Sequence, residues 1–234
     1  MAEPVIPDFG EASDCVTDNR LFCPDWVREN WDPVLQPALV QHIYLTAIAV
    51  GVGFVISVGA ALLAHRLSHV ERPFAFLAAV IYTIPSLALF QLLVPVTGLT
   101  VTTVEIALVS YTVLILFRNT LTGLRSVPPE VLEAARGMGL TRNQTLWRVE
   151  LPLALPAIMA GVRVATVSTI ALVTVGVIVG TGGLGTMILA GFNNNFYRAE
   201  IVTASLLTIA LGITADVLLA ALGRALTPWT RRRT

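Results

Sequence analysis

Apolar residues in this chain gather into long runs instead of alternating with polar ones. Five runs are each roughly 20 residues long, enough for a helix to cross the ~30 Å hydrocarbon layer of a bilayer. They cover about 43–64, 74–96, 99–117, 157–179 and 201–222. Pro85 and Pro95 interrupt the second, the third is short and carries Glu105, and the fifth carries Asp216. Between the third and fourth lies a stretch, residues 118–156, that is too charged to cross. The pattern predicts an all-α polytopic membrane protein with about five transmembrane helices and a folded loop on one face. A folded loop of that size is commonly where a partner takes hold.

The loop carries its own structural signals. Val127-Pro128-Pro129 ends the helix before it, because proline restricts its predecessor. Proline also suits the first turn of a new helix. That helix is predicted over 129–138, with Glu130 and Glu133 near its positive end. Gly137 and Gly139 both offer left-handed conformations to stop it. Thr141-Arg-Asn-Gln144 reads as a capping box that starts a second helix, expected to end near Leu151-Pro152. The small pair Ala134 and Ala135 would let a partner approach closely.

Composition narrows the function classes. The chain is 55% hydrophobic and 13% charged, against roughly 25% charged in soluble domains. Its net charge of zero gives no general case for nucleic-acid binding. All 15 basic residues are arginine, which excludes a P-loop and Schiff-base chemistry, both of which need lysine. No nucleophile–base set appears either, so an enzyme is a poor fit. Any nucleotide would bind on another chain.

Arginine placement gives an orientation. With the N-terminus outside, twelve arginines fall on the inner side and three on the outer. The positive-inside rule therefore puts the 118–156 loop and the C-terminus in the cytoplasm. The chain divides into an acidic extracytoplasmic segment 1–37, a transmembrane region 38–225 and a basic cytoplasmic tail 226–234. The first segment lacks the basic-then-apolar pattern of a signal peptide. Its Cys15 and Cys23 either close a nine-residue disulfide loop, worth ~2–3 kcal/mol, or stand as two unpaired thiols.

One spacing identifies a family. Glu133-Ala134-Ala135, three residues, Gly139, nine residues, Val149, one residue and Leu151-Pro152 resembles the EAA loop of permeases in bacterial ATP-binding-cassette importers. Val149 stands where that family usually has isoleucine. Thr83-Ile-Pro-Ser-Leu-Ala-Leu-Phe90 and Gly180-Thr-Gly-Gly-Leu-Gly185 resemble the osmoprotectant group of these permeases. The similarity covers about residues 38–225.

The resemblance implies a MetI-like permease fold in the bacterial inner membrane. It implies that Glu133, Ala134, Ala135, Gly139, Leu151 and Pro152 couple the chain to a cytoplasmic ATPase dimer. ATP and Mg would sit on that ATPase, with no cofactor on this chain. A second permease chain, identical or paralogous, would complete the passage, and an extracytoplasmic solute-binding protein would deliver the cargo. The implied solute is glycine betaine, choline, carnitine or proline betaine. A permease for an amino acid or another small solute competes with this reading. A non-transporting membrane anchor for an ATPase is a different class.

Other constellations are weighed on their chemistry. Gly180–Gly185 also satisfies GxGxxG, but no βαβ unit surrounds it, so dinucleotide binding is excluded. Pro85 breaks the second run at mid-membrane depth, and Thr83, Ser86 and Gln91 around it are candidates to line a passage. A packing kink explains the same break. Arg163 and Asp216 fall at similar depth and suit an ion pair. Glu105, near the outer end of its run, is expected to reach water. His65 and His69 lack further metal ligands and read as solvated at the interface. Betaines carry quaternary ammonium groups, which proteins hold in aromatic cages. All four Trp lie outside the runs, and Tyr44, Tyr82 and Tyr111 form no evident cluster, so a cage is expected on the separate binding protein.

Overall fold

The computed structural model describes residues 18–180, 182–194 and 196–229. Cys15, Thr181, Asn195 and Arg231–Arg233 lie outside them. The described residues form helices joined by short turns, with no strand among them.

The first helix is longer than the apolar run that announces it. α1 (Pro24–Asn30) continues through a π-helical turn (Trp31–Leu35) into α2 (Gln36–Arg66), giving one 43-residue rod. It starts with Pro24 in its first turn and Asp25 at its positive end. Trp26 and Val27 then pack, with Leu35 and Leu39, onto Leu184 and Met187. The boundary expected at residue 37 falls inside this rod. Cys23 precedes α1, is fully buried and is disulfide-bonded.

The second run is broken. α3 (Ser68–Thr83) and α4 (Ser86–Thr97) meet at Ile84-Pro85 and are bent by 100°. α5 (Val101–Arg125) starts on Thr100, whose hydroxyl accepts the Thr103 N–H. It runs well past the predicted end at residue 117, because Leu121 and Leu124 keep one face buried while Arg118 and Arg125 face outward.

The loop follows as α6 (Pro129–Gly137) and α7 (Arg142–Thr145). α7 does not end near Leu151-Pro152. It passes through a π-helical turn (Leu146–Glu150) directly into α8 (Leu151–Val175), which closes in a 3₁₀ turn (Gly176–Val179). The π turn explains why Pro152 fails to stop the helix. The Leu151 N–H reaches back five residues to the Leu146 carbonyl, widening the helix just before a residue that cannot donate. The Gln36 N–H does the same to Trp31 immediately before Pro37. A short α9 (Leu184–Asn193) and a long α10 (Arg198–Leu226) complete the chain.

Packing partners fix the number of crossings. Going along α2, Leu45 and Ala49 meet Ala107 and Leu108, Ser57 bonds the Val113 carbonyl, and Ala61 meets Phe117 and Leu121. α2 and α5 therefore run parallel. The bent α3–α4 pair must carry the chain back between them, with Phe74 against Phe117 at one end and Phe90 against Val104 at the other. α5 and α8 are antiparallel, since Gly123 faces Ala154 and Asn119 faces Gly161. α8 and α10 are antiparallel too, since Met159 faces Gly223 and Arg163 faces Asp216. Four helices are long and apolar enough to span, and the bent pair supplies the fifth crossing. The ends of this bundle thus lie on opposite sides.

Candidate functional site

Most of the candidate residues fall in two parts of the molecule: the loop between α5 and α8, and the region of the α3–α4 break. The loop begins where Ser126 caps α5 and Pro128 takes an extended backbone. α6 then presents Glu130, Val131, Glu133, Ala134, Arg136 and Met138 outward, with Met138 72% exposed. Ala135 turns the other way and is 1% exposed. Neighbouring residues on a helix point about 100° apart, so Ala134 and Ala135 form no common docking face.

The turn after α6 is a Schellman motif. The Leu140 N–H donates to the Ala135 carbonyl at 3.1 Å and the Gly139 N–H to the Arg136 carbonyl at 2.9 Å. Gly139 has φ +79°, while Gly137 is ordinary helix, so only one of the two glycines uses its conformational freedom. Thr141 and Gln144 form the expected reciprocal capping box.

The far side of the loop is anchored in ways the sequence does not announce. His65 Nε2 donates to Glu150 Oε2 at 2.6 Å, joining the end of α2 to the π turn. Arg66 donates to Asn143 at 2.6 Å, and Arg142 reaches the Arg66 carbonyl. Leu146 is buried against Leu124, Ala154, Ile158, Leu62 and Leu151. Leu151 and Pro152 are half-buried in this stem. His65 is therefore an anchor and not a solvated interfacial residue. Its partner lies 85 residues away, and no local pattern points to it.

The cavity is about 470 Å³ and lies between α3, α4, α5 and α8. Thr83, Pro85 and Ser86 line it. Gln91 does not; it sits on the exposed side of α4, nearly two turns on. The carbonyl of Ile84, left without a helical partner by the break, accepts the Tyr111 hydroxyl. Tyr111 and Tyr82 both line the cavity, ring centroids 5.7 Å apart and planes at 69°. These two tyrosines do cluster, contrary to expectation, because the 100° bend brings the end of α3 onto the middle of α5.

Two charged sites differ from each other. Arg163 Nε and Nη2 donate to the two Asp216 oxygens at 2.9 and 2.8 Å, a bidentate pair between α8 and α10. Both side chains are about 40% exposed on the bundle surface. Glu105, by contrast, has both carboxyl oxygens shielded and without a hydrogen-bond partner. It does not reach water, since it lies a full turn inside α5. Among the described residues no cluster of three metal-ligating side chains occurs.

The glycine-rich segment is a packing device. His42 is buried and clips three elements together. Its Nδ1 accepts the Leu184 N–H at 3.3 Å, so Nε2 carries the proton and donates to the Ile170 carbonyl at 2.9 Å. Gln41 accepts the Gly183 N–H at 3.2 Å. Gly183 has φ +51°, and a Cβ there would lie 2.7 Å from that of His42.

Comparison with known proteins agrees with this architecture. Over residues 53–232 the chain matches the family described as binding-protein-dependent transport system inner membrane component. It is 41% identical to the choline transport system permease protein OpuBD of Bacillus subtilis, over 83% of this chain and 86% of that one. It is 38% identical to the osmoprotectant import permease protein OsmW of Salmonella typhimurium, over 80% and 89%. It is 36% identical to the carnitine transport permease protein OpuCD of Listeria monocytogenes, over 89% and 93%. Among solved structures, an inward-facing MetNI methionine ABC transporter chain matches with TM-score 0.75 at 21% identity, over 85% and 99%. An amino acid ABC transporter solved with histidines matches with TM-score 0.72 at 18% identity, over 86% and 97%. These two likenesses show the fold. With the loop spacing, the five-crossing bundle and these relatives in agreement, the chain belongs to the binding-protein-dependent transport system inner membrane components, as a membrane-spanning permease subunit and not an enzyme.

Proposed function

We propose that this permease passes a small osmoprotectant of the quaternary ammonium class, such as choline, glycine betaine, carnitine or proline betaine, driven by ATP hydrolysed on a partner. The observation that carries the coupling part is α6, a short helix with an outward polar and apolar face and Ala135 alone fully buried. The solute class rests on relatives at 33–41% identity, whose names specify choline, carnitine, glycine betaine or osmoprotectants.

In this reading the loop faces the cytoplasm, following the arginine count, and the N-terminus and the disulfide-bonded Cys23 face the oxidising side. A dimer of ABC ATPases, carrying ATP and Mg, receives Glu133, Ala134 and the rest of the outward face of α6. Gly139 sets the angle between α6 and the stem. The stem through Leu151 and Pro152 passes the motion to α8, and the bundle alternates between inward- and outward-open states. Ala135 serves the bundle side of this helix. Thr83, Pro85 and Ser86 line part of the passage. A second permease chain, identical or paralogous, closes it, and an external binding protein loads it. The exposed Arg163–Asp216 pair suits a surface covered by protein or water, since charges in a span seldom face lipid.

The test is uptake into proteoliposomes containing the permease pair, the ATPase and the binding protein. ATP-dependent accumulation of labelled choline or glycine betaine is expected. Uptake of only an amino acid would move the chain to another solute class, and no uptake with any partner set would leave a membrane anchor.

A further inference from the structure

We propose that the cavity at the α3–α4 break is a transit site for a trimethylammonium group, which sits in the corner made by the rings of Tyr82 and Tyr111. The inference rests on the solute class proposed above and adds the residues that would receive it.

Position comes first. Tyr82 lies in the last turn of α3, Ser86 opens α4, Tyr111 stands near the midpoint of α5, and Ser168 and Thr169 stand on α8. The cavity therefore lies at mid-depth in the bundle, where three crossings converge. Its volume of about 470 Å³ falls within the ~300–1,000 Å³ typical of small-molecule sites.

Its chemistry then selects the ligand. None of the described residues lining it is charged. A primary ammonium there would surrender strong hydration without meeting a carboxylate, which is costly. A trimethylammonium group has no N–H to satisfy, spreads its charge over methyl groups and is attracted to aromatic faces within ~6 Å. The two rings stand at 69° with centroids 5.7 Å apart, so they form adjacent walls. Tyr111 is 7% exposed and forms the floor; Tyr82 is 43% exposed and forms the rim.

The hydroxyls reinforce the choice. Tyr111, Thr83, Thr112 and Thr169 each donate their proton to a backbone carbonyl: Ile84, Val80, Val109 and Ala165. None of these four protons is therefore directed at a cation in the cavity; Thr112 and Thr169 are buried, the Thr112 hydroxyl against Gly53. The Ser86 and Ser168 hydroxyls make no hydrogen bond among the described residues, so their protons remain for a carboxylate or hydroxyl at the solute's other end. Two walls and no counter-charge make a weak site, which is what release to the far side requires.

The test uses the reconstituted permease–ATPase complex in nanodiscs, without the binding protein, and saturation-transfer NMR with choline and glycine betaine. Transfer to the N-methyl protons is expected, displaced by tetramethylammonium and not by 3,3-dimethyl-1-butanol, the uncharged isostere of choline. Tyr111→Leu should weaken binding up to ~30-fold and Tyr82→Leu by ~2–5-fold. Tyr111→Phe, which keeps the ring, should retain the signal. Wild-type uptake of quaternary ammonium solutes with the full partner set runs in parallel. If uptake occurs but N-methyl transfer is absent, or is untouched in both Leu variants, the site is overturned and the solute class stands. If uptake is absent, the solute class falls and this assignment with it.

Discussion

The two halves of the loop between α5 and α8 share one motif and differ in attachment. α6 shows most of its surface to solvent, and Ala135 alone on it is fully buried. The stem from Arg142 to Glu150 is tied by His65–Glu150, Arg66–Asn143 and the buried Leu146. One half is available to a partner; the other is continuous with a membrane-crossing helix 38 residues long. A push on the first cannot be absorbed by a flexible joint, because the turn between them is a Schellman motif followed at once by a capping box. Substitutions in the stem should therefore cost stability, and substitutions on the outer face of α6 should cost function alone.

The largest stability effect is expected from Leu146→Ala. It removes a buried side chain from the Leu124–Ala154–Ile158 cluster and should cost ~2–5 kcal/mol, read as a lowered apparent melting temperature in detergent. A pair of glycines sharpens the contrast. A Cβ on Gly123 would lie 2.9 Å from the Ala154 carbonyl oxygen, so Gly123→Ala should cost ~1–3 kcal/mol by prying α5 from α8. Gly137 on α6 has nothing within 4 Å, so Gly137→Ala should be neutral or stabilising by up to ~1 kcal/mol. Equal destabilisation by both would erase the distinction between the halves. His65→Ala should follow with a loss of ~1–3 kcal/mol, since it strands a largely buried Glu150 carboxylate. Its double-mutant cycle with Glu150→Ala should show coupling; additive losses would mean the pair does not anchor the stem.

Local signals and distant contacts were not equally readable from the sequence. The capping box, the proline start of α6 and the glycine stop are set by residues within a few positions of one another, and Thr141, Pro129 and Gly139 revealed them. The crossings were legible because apolar runs need no partner to be recognised. What the sequence hid depends on the bend at Pro85 and on helix pairing. Tyr82 meets Tyr111, and His65 meets Glu150, across 29 and 85 positions, respectively. Pro152 misled for a different reason: a π turn absorbs it, and π turns leave no compositional mark. Gln91 stays out of the cavity because it follows Ser86 by five residues on α4, about 140° round the helix.

The most direct measurement adds bulk to the exposed face of α6 without touching its buried side. Ala134→Tyr should change stability by no more than the ~0.5 kcal/mol expected of surface changes, read as a nearly unchanged melting temperature. In proteoliposomes with the ATPase and binding protein it should abolish ATP-driven uptake of choline or glycine betaine and the stimulation of ATP hydrolysis by loaded binding protein. Normal uptake by a well-folded Ala134→Tyr complex would contradict the assignment of α6 as the helix through which ATP hydrolysis moves the permease.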